Sequence, residues 1–257
     1  ATHALSIFGD HSDIYATRQT GFCMLASSNP TEAYHLAAVA HLSALKGSLP
    51  FVHFFDGFRT SHEINVVDTL EEKDLLSLID QPSLKKFKSR SLPIGEPKQY
   101  GMAENEDIYF QSVEARTPLY DQMPDIVNEY MKKLNALAHT TYAPFEYFGD
   151  AKATNVIIAM GSVTDTIRLV VKEEQKKGHK IGVVIVHLYR PFSPKYLEAV
   201  LPATVQKIAV LDRTKEAGSI GEPLYLDVLS ALKDTNITIV GGRYGLSSKD
   251  TAPKDIY

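Results

Sequence analysis

The chain has 257 residues, a net charge of −4, and 44% hydrophobic against 23% charged residues, an ordinary globular composition long enough for one large domain or two smaller ones. The acidic balance removes the electrostatic case for nucleic acid, which needs a basic face, and no apolar run approaches the roughly eighteen residues of a membrane span. A single cysteine, Cys23, excludes an internal disulfide framework and an iron–sulfur cluster held by this chain's thiolates alone, and reads as a reducing, intracellular setting.

The opening "ATHALSIFGDH" has no initiator Met, no signal-type basic region and no transit-type Arg/Ser bias. Ala4, Leu5, Ile7 and Phe8 predict a buried strand over residues 3–9, and so abrupt a start predicts a piece cut from a longer polypeptide. In "GDHSD" (9–13), Asp10 reads equally as an Asx-turn former and as a group reaching a ligand at the strand's carboxyl edge, with His11 beside it. "GFCMLASS" (21–28) predicts a second strand, with Cys23 buried and inert. A helix follows: Asn29 as N-cap, Pro30 at the first helical position, Glu32 near the positive end of the dipole, Leu36, Val39 and Ala40 at helical spacing, and Gly47 closing it. "PFVHFFD" is a third strand, and the βαβ order predicts a parallel sheet. Thr60 and Glu63 fit a T-x-x-E capping box. That places Asp56 and Arg59 at the strand's carboxyl edge, where charges ringed by Phe suit a dry, oriented cleft.

From Val66 to about Met123 the periodicity loosens. "TLEEKDLLSLID" predicts a short amphipathic helix, and "SLKKFKSRSLPIGEPKQYGMAENEDIYFQ" a long covering loop or partner-binding arm. Pro124 opens a helix with Ile126, Val127, Tyr130, Met131, Leu134 and Leu137 on one stripe. "TTYAPFEYFGD" (140–150) reads as a linker. The charge balance changes there: 12 Lys+Arg against 18 Asp+Glu give −6 for residues 1–140, and 15 against 13 give +2 for residues 141–257, consistent with the total of −4.

The second unit alternates cleanly. "NVIIAMG", "KIGVVIVHLY", "KIAVLD" and "ITIVGG" are strands, separated by helices in "VTDTIRLVVKEEQKKG", "SPKYLEAVL" and "GEPLYLDVLSAL". This predicts a doubly wound α/β unit. Gly161 in "AMGSVTDT" either exposes N–H groups for an anion or serves the turn alone. Asp212, Arg213, Lys215 and Glu216 lie at a strand's carboxyl end, where open α/β sheets bind ligands or partners. "GGRYG" (241–245) reads as a structural turn, a ligand contact through Arg243, or a contact with a partner domain. The nine His form no ligand pair at helical or hairpin spacing with a carboxylate, so no metal site is predicted within the chain.

"HALSIFGDHSDIYATRQTGF", "HFFDGFRTSHEI" and "LYRPF…LDRTKE…GEPLYLDV…GRYGL" run in one order from Ala1 to about Gly245 and closely resemble the pyruvate:ferredoxin (flavodoxin) oxidoreductases. The resemblance implies an α/β fold of two parallel-sheet lobes. Residues 1–140 would be the later part of a thiamine-enzyme pyrimidine-type domain with a long loop arm, and residues 141–257 a doubly wound domain similar to the carboxy-terminal domain of transketolase. It implies a homodimeric enzyme of anaerobic metabolism, in the cytoplasm or a hydrogenosome-type organelle. Such enzymes decarboxylate pyruvate on thiamine diphosphate with Mg²⁺, pass electrons through [4Fe-4S] clusters to ferredoxin or flavodoxin, and give the acetyl group to coenzyme A.

It also implies that the Glu that activates the cofactor and the Arg and Thr that hold pyruvate lie upstream, and the diphosphate and cluster domains downstream. On this reading the chain holds no catalytic residue and is inactive alone. Carried over by position, Leu5 and Ile7 line the cleft beside the thiazolium and the substrate methyl, where an apolar wall favours loss of CO₂ because charge is dispersed on the way to a neutral enamine. Asp10 and His11 lie around that cleft. Asp56, Arg59, Asp212, Arg213, Glu216 and Arg243 sit at its edge or in domain and dimer contacts. One departure stands out: Lys215-Glu216-Ala217-Gly218-Ser219 replaces the family's "KEPGA", which removes a φ constraint. Two alternatives stand beside this reading, a non-catalytic scaffold domain of a fused reductase and a nucleotide-binding module at Gly161 and Gly241–Gly242.

Overall fold

Asn29 Oδ1 accepts the Glu32 N–H at 3.0 Å, so the first long helix starts where its sequence says it should. In the computed structural model, which describes residues 4–257, this helix belongs to a parallel βαβ unit. The order is Ser12–Thr17 (α1), Cys23–Ser27 (β1), Pro30–Gly47 (α2) and Phe51–Phe55 (β2), with Cys23 opposite Phe51 through Ser27 opposite Phe55. The helix end departs from expectation. Gly47 stays helical, and Ser48 takes the left-handed conformation at φ 56°. A Cβ on Gly47 would stand 2.2 Å from Met123 Cε, so the glycine serves close packing of α2 against the Met123 side chain rather than termination.

Short helices follow at Arg59–His62 (α3), Glu72–Ser77 (α4), Gln81–Ser89 (α5) and Tyr109–Glu114 (α6), before the long Thr117–Ala138 (α7). The arm is therefore partly helical. No residue of α5 is fully buried, and its start is set locally by Asp80 accepting the Ser83 N–H at 2.9 Å. α7 starts at Thr117 with Pro118 in its first turn, and Pro124 lies inside it rather than opening it. An interior proline costs about 3 kcal/mol. Burying Met123, Val127, Tyr130, Met131 and Leu134 against Leu36, Val39 and Ala40 of α2 offsets that.

The remaining elements are Phe145–Gly149 (β3), Asn155–Ala159 (β4), Val163–Lys176 (α8), Ile181–Val186 (β5), Leu188–Arg190 (β6), Pro194–Val200 (α9), Lys207–Asp212 (β7), Pro223–Ala231 (α10) and Thr238–Arg243 (β8), then single 3₁₀ turns at Leu246–Ser248 and Pro253–Asp255. A five-stranded sheet runs β3-β5-β4-β7-β8, parallel except for β3 against β5. Two expectations change here. The predicted linker contains a strand, because Phe145 and Tyr147 pack on one face of the sheet and Phe148 on the other. The predicted single strand "KIGVVIVHLY" is two: the chain breaks at His187, whose carbonyl accepts the Ala26 N–H at 2.7 Å, and β6 pairs antiparallel with β1. The second sheet is thus β2-β1-β6, with its third strand drawn from the later half of the chain.

The opening residues are the largest departure. Residues 4–9, the described part of the expected strand, form no strand, and Leu5 and Ile7 are 83% and 79% exposed; His3 lies outside the described residues. The segment is held instead through Gly9, whose N–H donates to Ser248 Oγ and whose carbonyl accepts the Ser248 N–H at 3.0 Å. Apolar residues at strand spacing bury themselves only where a neighbouring strand is available to pair.

Replacing Asn29 by Ala should lower the stability of the chain by about 1 kcal/mol through loss of the cap, read as a shift in urea midpoint at unchanged slope.

Candidate functional site

β2 delivers Asp56 into the interior, where it is 3% exposed. Its Oδ1 accepts from His11 Nε2 at 2.7 Å and from the Arg213 guanidinium at 2.5 Å, and its Oδ2 accepts the Ser162 backbone N–H at 2.6 Å. Burial alone would raise this carboxyl's pKa; the bonds from His11, Arg213 and Ser162 hold it well below the usual carboxylate range. Arg213, also buried, spends its other donors on the carbonyls of Gly245 (3.1 Å) and Gly9 (3.2 Å) and on Ser248 Oγ (3.3 Å). One ion pair therefore ties together the segment before α1, the end of β2, the start of α8 and the loops after β7 and β8.

Gly161 is part of the same assembly. It holds φ 82°, and a Cβ there would fall 2.6 Å from Asp56 Oδ2 and 3.3 Å from the His11 ring. The turn reading of "AMGSVTDT" is the one the geometry supports: Gly161 serves the turn, and the Ser162 N–H at the start of α8 is already taken by Asp56.

Over this cluster lies a cleft of about 450 Å³ at the carboxyl ends of β1, β2, β4, β7 and β8. Ser28, Asn29, Thr60, Ser162, Asp165 and Lys249 line it, with Arg59 and Arg213 in its wall. Thr164 Oγ1 donates to Ser28 Oγ at 2.8 Å, and Asn29 Nδ2 to Asp165 Oδ2 at 3.3 Å, bridging the two halves of the chain. Burial pushes the Asp165 carboxyl up, with Glu32 and Glu146 adding to the effect against the Asn29 bond. Beneath it, His187 is fully buried, 3.1 Å from the Ala26 carbonyl and 3.4 Å from Glu146 Oε2. Burial would lower its pKa, yet Glu32 and Glu146 leave it above the ordinary value. Asp165, Glu146 and His187 were not legible as site residues, since they fall in a helix, an apparent linker and an apparent strand. The only sequence signal was polarity inside apolar runs.

The other predicted residues separate. Leu5 and Ile7 are exposed and do not line this cleft. Asp10 Oδ1 accepts the Ser12 N–H at 2.9 Å, the Asx turn that starts α1. Asp212 is fully buried and accepts the N–H groups of Leu224 (2.9 Å) and Tyr225 (3.0 Å) and the Tyr15 hydroxyl (2.9 Å), so it caps α10; burial raises its pKa. Arg59 pairs with Asp250 and, at 3.7 Å, with Glu63. Glu216 meets Arg18 at 3.2 Å, and Arg243 meets Glu222 at 2.9 Å. The Thr60–Glu63 capping box does not form. Ser61 Oγ takes the Phe58 N–H at 3.0 Å, and Thr60 Oγ1 turns to the Ser28 carbonyl at 3.4 Å. Gly241 and Gly242 lie within β8, not in a turn; Gly241 packs on the Tyr225 ring, where a Cβ would stand 3.0 Å from Cγ, so close packing of α10 on the strand accounts for it.

Two interlocked α/β lobes joined by a buried carboxylate form a fold also found in the 2-oxoglutarate:ferredoxin oxidoreductase of Magnetococcus marinus. That structure matches with a TM-score of 0.52 over 91% of this chain and 41% of its own, at 14% identity. A family model described as pyruvate flavodoxin/ferredoxin oxidoreductase, thiamine diphosphate binding, matches residues 1–132, and one described as pyruvate:ferredoxin oxidoreductase core domain II matches residues 153–256. The chain belongs to the pyruvate flavodoxin/ferredoxin oxidoreductase family. It is 52% identical over 258 residues to a pyruvate-flavodoxin oxidoreductase of Klebsiella pneumoniae and 51% identical over 255 residues to a pyruvate:ferredoxin oxidoreductase of Moorella thermoacetica. It spans 22% of the length of each.

Asp56→Asn should destabilise the chain by about 3–5 kcal/mol at neutral pH, because Arg213 stays buried without a counter-charge. Asp56 has a depressed pKa, so its contribution is complete above the unfolded carboxyl value of about 3.9 and is lost as the pH falls below it. The stability gap between native chain and variant, from urea titrations at several pH values, should be flat above about pH 4 and narrow beneath it.

Proposed function

We propose that this chain is the structural frame of one side of the cleft in an enzyme that oxidatively decarboxylates pyruvate to acetyl-CoA and CO₂ and passes the electrons to ferredoxin or flavodoxin. The observation that carries this reading is the identity of about half of all residues along the whole chain to two such enzymes. The chain's own residues do not fit the reactive groups of that chemistry. Cys23 is buried with its thiol pushed up to about 12, unsuited to ligating iron. Among the described residues no group of three or more His, Cys, Asp or Glu is arranged to hold a metal. On this reading thiamine diphosphate with Mg²⁺, the [4Fe-4S] clusters and coenzyme A are held mainly by the rest of the polypeptide, with residues 1–132 contributing to the thiamine diphosphate-binding side.

The division near residue 140 is part of the same reading, with β6 crossing back to stitch the units together. Leu5 and Ile7, held out on an extended segment pinned at Gly9, are suited to be the apolar wall that the other domains close against. Such a wall favours the loss of CO₂, because charge is dispersed as the carboxylate leaves. Arg59, Glu216 and Arg243, whose ion pairs are partly open to solvent, suit contacts with neighbouring domains or a second subunit.

The complete polypeptide, given pyruvate, coenzyme A and thiamine diphosphate, should reduce a ferredoxin or flavodoxin. The chain of 257 residues alone should neither turn over nor bind the cofactor tightly by calorimetry; tight Mg²⁺-dependent binding to it would refute the reading. Ile7→Asp should leave the stability of the chain within about 0.5 kcal/mol, as expected at an exposed position. In the complete enzyme it should lower kcat about tenfold or more, measured by ferredoxin reduction at saturating pyruvate.

A further inference from the structure

The five-stranded sheet is covered unevenly. On one face, Leu197 of α9 and Leu224 and Val228 of α10 pack on Val156, Ile158, Ile208 and Val210. On the other, Val163, Ile167 and Val171 of α8 pack on Ala159, Val183 and Ile185. Alternation along the strands turns Ile157, Ala209 and Val240 to this second face, and the register sets them in one row across β4, β7 and β8. The cluster under α8 takes in Ile157 of β4 and Leu211 near the carboxyl end of β7, but neither Ala209 nor Val240. Val240 is 55% exposed, and an apolar groove of about 390 Å³ runs between α8 and β8.

The last residues enter this groove. Pro253 follows Ala252 at the first position of a turn, and Asp255 Oδ2 accepts the Ala252 N–H at 2.8 Å, the return bond of a capping box. The Ile256 N–H donates to the Pro253 carbonyl at 3.1 Å, and Ile256 keeps right-handed helical angles (φ −95°, ψ −26°). Ile256 joins the apolar cluster under α8. Ala252 lines the cleft at the carboxyl edge, whereas the Tyr257 ring lies 5.0 Å from Lys177 Nζ at the far end of α8. The segment therefore descends alongside α8, from carboxyl to amino edge, as a helix following β8 in a doubly wound sheet would.

We propose that the polypeptide continues this turn past Tyr257 as an α-helix lying over Ile157, Ala209 and Val240, and that this helix is the missing cover of the sheet. Three observations carry the choice of occupant: a helix start is already formed, its first apolar residue is already seated, and relatives matching the whole of this chain are several times longer, since it spans 22% of their length. A six-residue strand is about 20 Å long, so about 13 helical residues cover it. Apolar side chains belong three, four and seven positions beyond Ile256, the spacing that keeps one helical stripe on the groove.

The test uses the complete polypeptide. Hydrogen exchange read by mass spectrometry should be slow at Ile256, Tyr257 and about the next ten residues, and a Val240→Cys thiol should resist maleimide in the native protein. Ile256→Asp should speed exchange in that stretch about tenfold or more and make Val240→Cys reactive, with amides of β4 and β5 unchanged. Should Ile256→Asp loosen β4 and β5 as well, Asp255→Ala, which removes only the capping bond, makes the same discrimination. Fast exchange directly after Tyr257, ready labelling of Val240→Cys in the otherwise native polypeptide, or protection at 240 that no change at 255 or 256 disturbs would each overturn the proposal.

Discussion

An ionised carboxylate away from water costs several kcal/mol unless its charge and lone pairs are met by partners already in place. Asp56 is met by three: an imidazole, a guanidinium and a backbone N–H. These partners come from positions 45, 157 and 106 residues away; His11 shares the first lobe with Asp56, whereas Arg213 and Ser162 are available only once both lobes have come together. The cluster therefore behaves as an all-or-none joint. With every member present it sets the lobes in one relation, and without Asp56 or Arg213 the other charge is left buried and uncompensated.

The rest of the architecture depends on that joint. β6 leaves the second run of strands and pairs with β1, so the two sheets share chain as well as contacts. Asn29 of α2 reaches Asp165 of α8, and Ser28 meets Thr164 across the same seam. The cleft opens where these elements end, and both long helices flanking it, α2 and α8, point their amino ends toward it. A wall assembled this way is oriented by hydrogen bonds below and stays polar above.

The passage "HFFDGFRTSHEI" mixes aromatics with charge because its parts serve different surfaces. Phe54 enters the core, Asp56 makes the interlobe joint, Arg59 stands in the cleft wall, and Phe55 and Phe58 remain 43% and 45% exposed. Segregation of this kind along a single turn arises where a strand ends at a site. The Phe58 ring lies 5.9 Å from that of Phe8, and Leu5 and Ile7 on the same segment as Phe8 are also open in this chain.

Local chemistry determined much of this protein by itself. Asn29, Pro30 and Glu32 carry the start of α2 in their own side chains, and the alternating apolar runs of the later half mark β4, β5, β7 and β8 without reference to anything distant. Asp10 likewise closes its Asx turn with a neighbour two residues on. Tertiary structure decided whatever needed a partner far along the chain. Leu5 and Ile7 have strand spacing but no strand beside them, and "KIGVVIVHLY" splits at His187 because Ala26, from the other lobe, takes its carbonyl. Asp212 is a helix cap because α10 returns to it, and Gly161 is required because Asp56 arrives within reach of its Cα. A side chain's spacing reports the hydrogen bonds it can make nearby. Whether a buried charge becomes a joint, a cap or a ligand depends on which distant donors the fold carries to it.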